Sequence, residues 1–248
     1  MLKAIQIEWL KSKRTKSLMT SMAIILSGIV WTVAVSRVDG QGVESFFDNQ
    51  DTHALILPLA ISIFVSRIVF NEKEGRTFKL QASNGNGLQT VFHDKLWFAS
   101  LFFVLMAILY SMIIFLYIVA IRGASVAIQL VGIQIATLSL ASFVQVCLYL
   151  TLALSMEKPG GVLALGFIGS FLGLIFQSQT NKLWSFLIPW DGASFLSVYK
   201  FGFDPKADQG FYTVDSQLAL KITIYTLYAL ACYLLARKMM LKKKGELL

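Results

Sequence analysis

Asn71-Glu72-Lys73-Glu74-Gly75-Arg76-Thr77-Phe78-Lys79-Leu80 opens a stretch that closes at His93-Asp94-Lys95-Leu96. It is the longest clearly charged segment between two strongly apolar runs. Glu72, Glu74 and Asp94 sit among Lys73, Arg76, Lys79 and Lys95, with Gly85 and Gly87 in the middle. Phe78, Leu80, Leu88, Val91 and Phe92 interrupt the charges, which a plain flexible linker would not require. This mixture predicts a short amphipathic helix lying on a membrane surface. If the flanking apolar runs cross a bilayer, this is where the chain meets a soluble partner.

The composition says that they do. Of 248 residues, 56% are hydrophobic and 15% charged, whereas a soluble domain is about a quarter charged, so lipid is the main solvent. Cys147 and Cys232 both lie inside apolar runs, which argues against a disulfide framework and against paired-cysteine metal spacings. A net charge of +8 would suggest nucleic acid for a soluble protein. Here the basic residues cluster at both ends beside apolar runs, so anionic headgroups, not nucleic acid, are the expected partner.

Outward from the charged stretch, the chain reads as an all-α membrane protein with a single transmembrane domain over residues 1–248. Residues 1–17 carry Lys3, Lys11, Lys13, Arg14 and Lys16 with Leu2, Ile5 and Trp9 at helical spacing, an interfacial helix anchored by Trp9. A signal peptide fails because no small-residue cleavage site follows the next apolar run. Six spans are expected: Leu18–Val35, Ala54–Phe70, Leu96–Ile121, Ile128–Ser155, Gly161–Phe176 and Leu218–Leu235. The first, at 1.5 Å per residue, is about 27 Å long, enough for a bilayer core. Between the last two, residues 177–217 are rich in aromatic and apolar residues, and short helices dipping into the interface are expected, with Pro189 and Gly192 at their junction. With both ends and the charged loop on one side, that side holds fifteen lysines and arginines against six on the other, so both termini are predicted to be cytoplasmic.

No nucleotide site is legible. Ser83-Asn84-Gly85-Asn86-Gly87-Leu88 lacks the Lys and hydroxyl with which a phosphate loop ends, and reads as a turn. The only histidines, His53 and His93, lie at polar borders, and the acidic pair of Glu72-Lys73-Glu74 is expected in a loop, so no metal site is predicted. Arg67, near the end of the second span, is expected to snorkel to the nearer interface. Gln134, Thr137, Ala141, Ser142 and Gln145 share one helix face. Hydrogen bonding between helices is the favoured reading, and a substrate pathway through Gln134 and Gln145 the functional one. Gly166, Gly169, Ser170 and Gly173 form a stripe suited to close helix packing. Trp190 and Asp191, at the bend of the dipping segment, are candidates for an outer gate, with a passive interfacial anchor as the alternative.

An interfacial N-terminal helix, six spans, a charged loop after the second and a dipping segment before the sixth together resemble the permease subunits of type 2 ABC transporters. Asn71-Glu72-Lys73-Glu74-Gly75-Arg76-Thr77-Phe78-Lys79, with Lys95 before the third span, is similar to the acidic-Gly-Thr run found there. The resemblance implies a coupling helix that docks into a separate ATPase subunit. Glu72, Glu74, Gly75, Arg76, Thr77, Phe78, Leu80 and Lys95 are its candidate residues, with Phe78 and Leu80 facing different ways. No cofactor is then expected on this chain, with ATP and Mg held by the ATPase. The size and the opening Glu8-Trp9-Leu10-Lys11 look most like the lantibiotic-immunity permeases of bacterial cell membranes. Those export an antimicrobial peptide and work with a second permease and two ATPase copies. Export of another peptide, antibiotic or lipid, a membrane enzyme, and a sequestering immunity protein are the alternatives.

Overall fold

The computed structural model describes residues 2–38, 42–48, 51–75, 88–177, 182–204 and 209–242. Helix α1 (Leu2–Arg14) meets α2 (Ser17–Val38) at a turn in which Lys16 takes a positive φ of 56°. A short 3-10 turn, Val43–Phe47, leads to α3 (Asp51–Glu74), followed by α4 (Leu88–Ala120), α5 (Ile128–Ser155) and α6 (Pro159–Phe176). Two 3-10 turns, Leu183–Leu187 and Pro189–Asp191, and the one-turn helix α7 (Gly192–Phe195) precede strands β1 (Tyr199–Asp204) and β2 (Gln209–Val214). Helix α8 (Leu218–Lys242) closes the described chain. Among the described residues, six helices are long and apolar enough to cross a membrane. They are the six spans expected from the sequence.

Helix α3 is the hub. It packs against α2, α5 and α6, and its Ala60, Ile61, Phe64 and Val65 are completely buried. Phe64 stacks on Phe102 of α4 at 4.5 Å between ring centres and meets Phe103 edge-on at 5.6 Å, offset and T-shaped geometries that aromatic pairs favour. The glycine stripe of α6 brings its backbone against α3. A Cβ on Gly166 would stand 1.9 Å from Ser62 Oγ, so no side chain fits there. The outer helices turn their apolar residues the other way: Leu227 and Leu235 on α8 are more than 60% exposed, and Val30 and Trp31 on α2 likewise. Rows of exposed leucine suit lipid, not water.

Two expectations need correction. The charged stretch 71–96 is not a loop throughout, because α3 continues to Glu74 and α4 begins eight residues before the expected Leu96. Glu72 and Lys95 lie on these extensions and pair with each other, so the helices run past the apolar core without stranding a charge. The amphipathic helix expected in between, with Arg76, Thr77, Phe78 and Leu80, lies outside the described residues. The segment 177–217 contains the short helices but also an antiparallel β-hairpin, with Tyr199 opposite Val214 and Phe201 opposite Tyr212. In β1, Tyr199, Phe201 and Phe203 alternate with Lys200 and Gly202, the period of two that marks a strand.

Candidate functional site

Where α1, α3 and α4 meet, four charged side chains close into a ring. Lys11 Nζ lies 2.7 Å from Glu72 Oε1 and 3.1 Å from Glu8 Oε1, and Lys95 Nζ lies 2.9 Å from Glu8 Oε2 and 3.0 Å from Glu72 Oε2. Lys95 is 1% exposed and also donates to the Ile68 carbonyl at 2.9 Å. Glu8 and Glu72 are both buried. Two carboxylates and two ammoniums in alternation leave no net charge, which is what makes their burial tolerable. Burial pulls the Lys11 pKa down, but the hydrogen bond to Glu72 and the Glu8 charge outweigh it, and the group ends above its ordinary value.

The ring fixes both ends of the interval that runs from Gly75 to Leu88. Lys73 points away from the ring. It reaches to the last turn of α5 and donates to the carbonyls of Ala153 at 2.8 Å and Met156 at 2.5 Å, a cation on the carbonyl end of a helix. On α4, His93 accepts from or donates to Tyr233 of α8 at 3.0 Å. Of the sequence-derived coupling residues, Glu72 and Lys95 are therefore brought together inside the protein, while Glu74 and Gly75 are exposed at the end of α3. Glu8 and Lys11 join them from the interfacial helix, a pairing that the sequence reading does not foresee. The available signal was that Glu8 is the only acid among the five basic residues of the first seventeen, placed three before Lys11.

At the opposite end, three of the four pathway candidates converge. Trp190 lies over α6, where a Cβ on Gly169 would come within 2.3 Å of its Nε1, and this nitrogen donates to Tyr149 Oη at 2.8 Å. Gln145 Nε2 donates to the Pro189 carbonyl at 3.2 Å. Asp191 is completely buried, with the Ser194 and Ser185 hydroxyls turned toward it and Lys200 and Lys221 nearby. Burial pushes its carboxyl up to about 7, against the pull of Lys200. Burial and the Lys221 charge bring Lys200 down to about 8. Lys200 donates to the Ser194 carbonyl, and Lys221 pairs with Asp215, so the hairpin and α8 are tied to the same cluster. Gln134 stands apart, eleven residues before Gln145 and roughly 16 Å along α5, and is buried.

Residues 4–176 match the family of ABC-2 family transporter proteins. The chain belongs to that family. Among curated proteins, none matches the sequence significantly. The matched region runs from α1 to the end of α6, so it includes the whole ion ring and both ends of the charged interval. An ABC-2 permease is the membrane subunit of a transporter and does not itself hydrolyse ATP; the family in general works with an ABC ATPase. The second cluster of this permease owes Trp190, Asp191, Lys200 and Lys221 to the segment beyond the matched region.

Proposed function

We propose that this permease is the membrane half of an exporter that removes a lantibiotic-like antimicrobial peptide from a bacterial cell membrane. Both termini and the interval between α3 and α4 face the cytoplasm, where the excess of lysine and arginine lies. A separate ATPase, present in two copies, docks on that interval through Glu74, Gly75, Arg76, Thr77, Phe78 and Leu80, and a second permease, identical or homologous, completes the pathway. Substrate leaves through the opposite face, where Gln145, Trp190 and Asp191 close the way until the outer segment shifts.

The observation that carries this reading is the ion ring. A docking element moves its permease only if its two stems are fixed to the spanning helices, and Glu72 and Lys95 supply that fixture at the end of α3 and the start of α4. The peptide substrate rests on the resemblance carried by the small size and the opening Glu8-Trp9-Leu10-Lys11. Reconstituted with its ATPase, the complex should hydrolyse ATP faster when the peptide is added and should release peptide from loaded vesicles only with ATP. Peptide release without ATP would turn the reading to sequestration. A bacitracin-like antibiotic or a lipid that stimulates hydrolysis where the peptide does not would keep the transporter and replace its substrate.

A further inference from the structure

Three consecutive residues at the end of α3 point in three directions. Glu72 enters the ion ring, Glu74 is exposed, and Lys73 between them reaches α5. The end of α5 that receives it has no cap of its own. No basic residue stands in its last turn, and Met156, which follows it, is extended instead of taking the left-handed turn that would satisfy the last carbonyls. Lys73 supplies donors from the neighbouring helix. Its Nζ lies 2.8 Å from the Ala153 carbonyl oxygen, 2.5 Å from that of Met156 and 3.4 Å from that of Leu154, and 4.9 Å from the centre of the Phe70 ring on its own helix. A cation at the negative end of a helix dipole is favoured. The ion ring thus ties α3 to α1 and α4, and Lys73 ties the same tip to the end of α5.

What this end of α5 carries gives the hold its consequence. Helix α5 passes into α6 through the short turn 156–158, and Trp190 rests on both helices. Its Nε1 donates to Tyr149 Oη of α5 at 2.8 Å, and its ring fills the place that a Cβ on Gly169 of α6 would need. Tyr149 lies one turn before Ala153, roughly 6 Å along the axis. Gln145, one turn earlier again, donates to the Pro189 carbonyl at 3.2 Å. Lys73 and the turn Pro189–Asp191 therefore grip the same stretch of one continuous helix, within roughly 12 Å. A rigid element held at both places carries a displacement of one to the other. We propose that Lys73 is a positioning residue for transport, passing movement of the end of α3 to the α5–α6 pair and so to the seat of Trp190. This rests on the reading that an ATPase drives the permease through the interval after α3, and it adds the route by which that drive leaves α3.

The test is amide hydrogen exchange of the permease–ATPase complex in lipid nanodiscs, with and without ATP, magnesium and vanadate. In the wild-type complex, exchange across residues 183–195 should differ between the two conditions. Lys73→Met should still copurify with the ATPase, while its nucleotide-dependent difference shrinks by about threefold or more, the scale on which one residue of a coupling route acts. Lys73→Arg, which can donate to the same carbonyls, should keep most of that difference. A lysine that only caps α5 would, on removal, change exchange in both conditions alike and leave the difference intact. A difference of wild-type size in Lys73→Met therefore overturns the proposal and leaves the ATPase reading in place. No difference in the wild-type complex, or no ATPase bound to it, overturns both. If Lys73→Met does not assemble, the neutral and shorter Lys73→Gln is read by the same criterion.

Discussion

Lys95 shows how a single residue can hold three helices. Its ammonium is met by two carboxylates and a carbonyl, with almost no access to solvent. Removing one partner from a buried ion network typically costs about 3–5 kcal/mol, because the opposite charges stay buried and uncompensated. Lys95→Ala should therefore lower the stability of the detergent-solubilised chain by about that amount in thermal or denaturant unfolding. Replacing the pair together, Glu72→Leu with Lys95→Met, should cost far less than the two single changes added. Equal costs would mean that the ring is not one coupled unit. Glu74 is the contrast: exposed at the helix end, it should accept Glu74→Lys without loss of stability. If it contacts the ATPase, stimulated hydrolysis should weaken by no more than about 1 kcal/mol in coupling. The charge pattern of 71–96 was legible in the sequence, but its partition was not. Glu72 and Glu74 look alike as text, and only Lys11 on a distant helix, with Lys95, makes one of them internal and leaves the other outside.

Among the elements, the segment 183–200 and the α3–α6 contact should respond to single changes. Asp191 titrates near 7 in the folded chain against an ordinary 3.8, so docking of the segment favours its protonated form and weakens as pH rises from about 4 through 7. Lys200 runs the other way: its value is depressed from 10.5 to about 8, so docking is favoured at high pH and weakens as pH falls through 8. Both groups are ionised between 7 and 8, and the segment should be loosest there. Amide exchange across residues 183–200, corrected for intrinsic rates, should slow as pH falls from 7.5 to about 5, and Asp191→Asn should remove that dependence. On α6, Gly166→Val should destabilise by about 1–3 kcal/mol through overpacking against Ser62. Ser62→Gly should recover part of that loss, as expected for residues in contact. The glycine stripe was legible because its spacing is periodic. The hairpin was not, because its aromatic residues satisfy both a strand and an interfacial anchor, and only pairing across β1 and β2 decides between them.

Across the whole molecule, the arrangement is a bundle whose two ends are built differently. One end is a buried ring of charge that ties α1, α3 and α4 together. The other is a folded cap of short helices and a hairpin, seated on α5, α6 and α8 through Gln145, Trp190 and Lys221. The six spans follow from hydropathy alone, since each is an apolar run bounded by charge or by glycine and proline. Which spans touch does not follow, because the buried and lipid-facing sides of such helices are both apolar. The hub role of α3 rests in part on Ala54 and Ser62, small residues whose consequence appears only when α6 lies against them. Alteration of either end should separate the functions. Trp190→Ala should impair clearance of peptide while leaving ATPase association intact, and loss of both would indicate misfolding of the cap.

The central claim is that a separate ATPase drives this permease through the interval between α3 and α4. Cysteine placed at Thr77, in a background lacking Cys147 and Cys232, offers the most direct measurement when the chain is co-expressed with its ATPase and treated with a short thiol cross-linker in native membranes. A cross-linked product of permease and ATPase is expected, and none when the cysteine is placed instead at Thr213 of the hairpin. A product from Thr213 and none from Thr77 would contradict the claim.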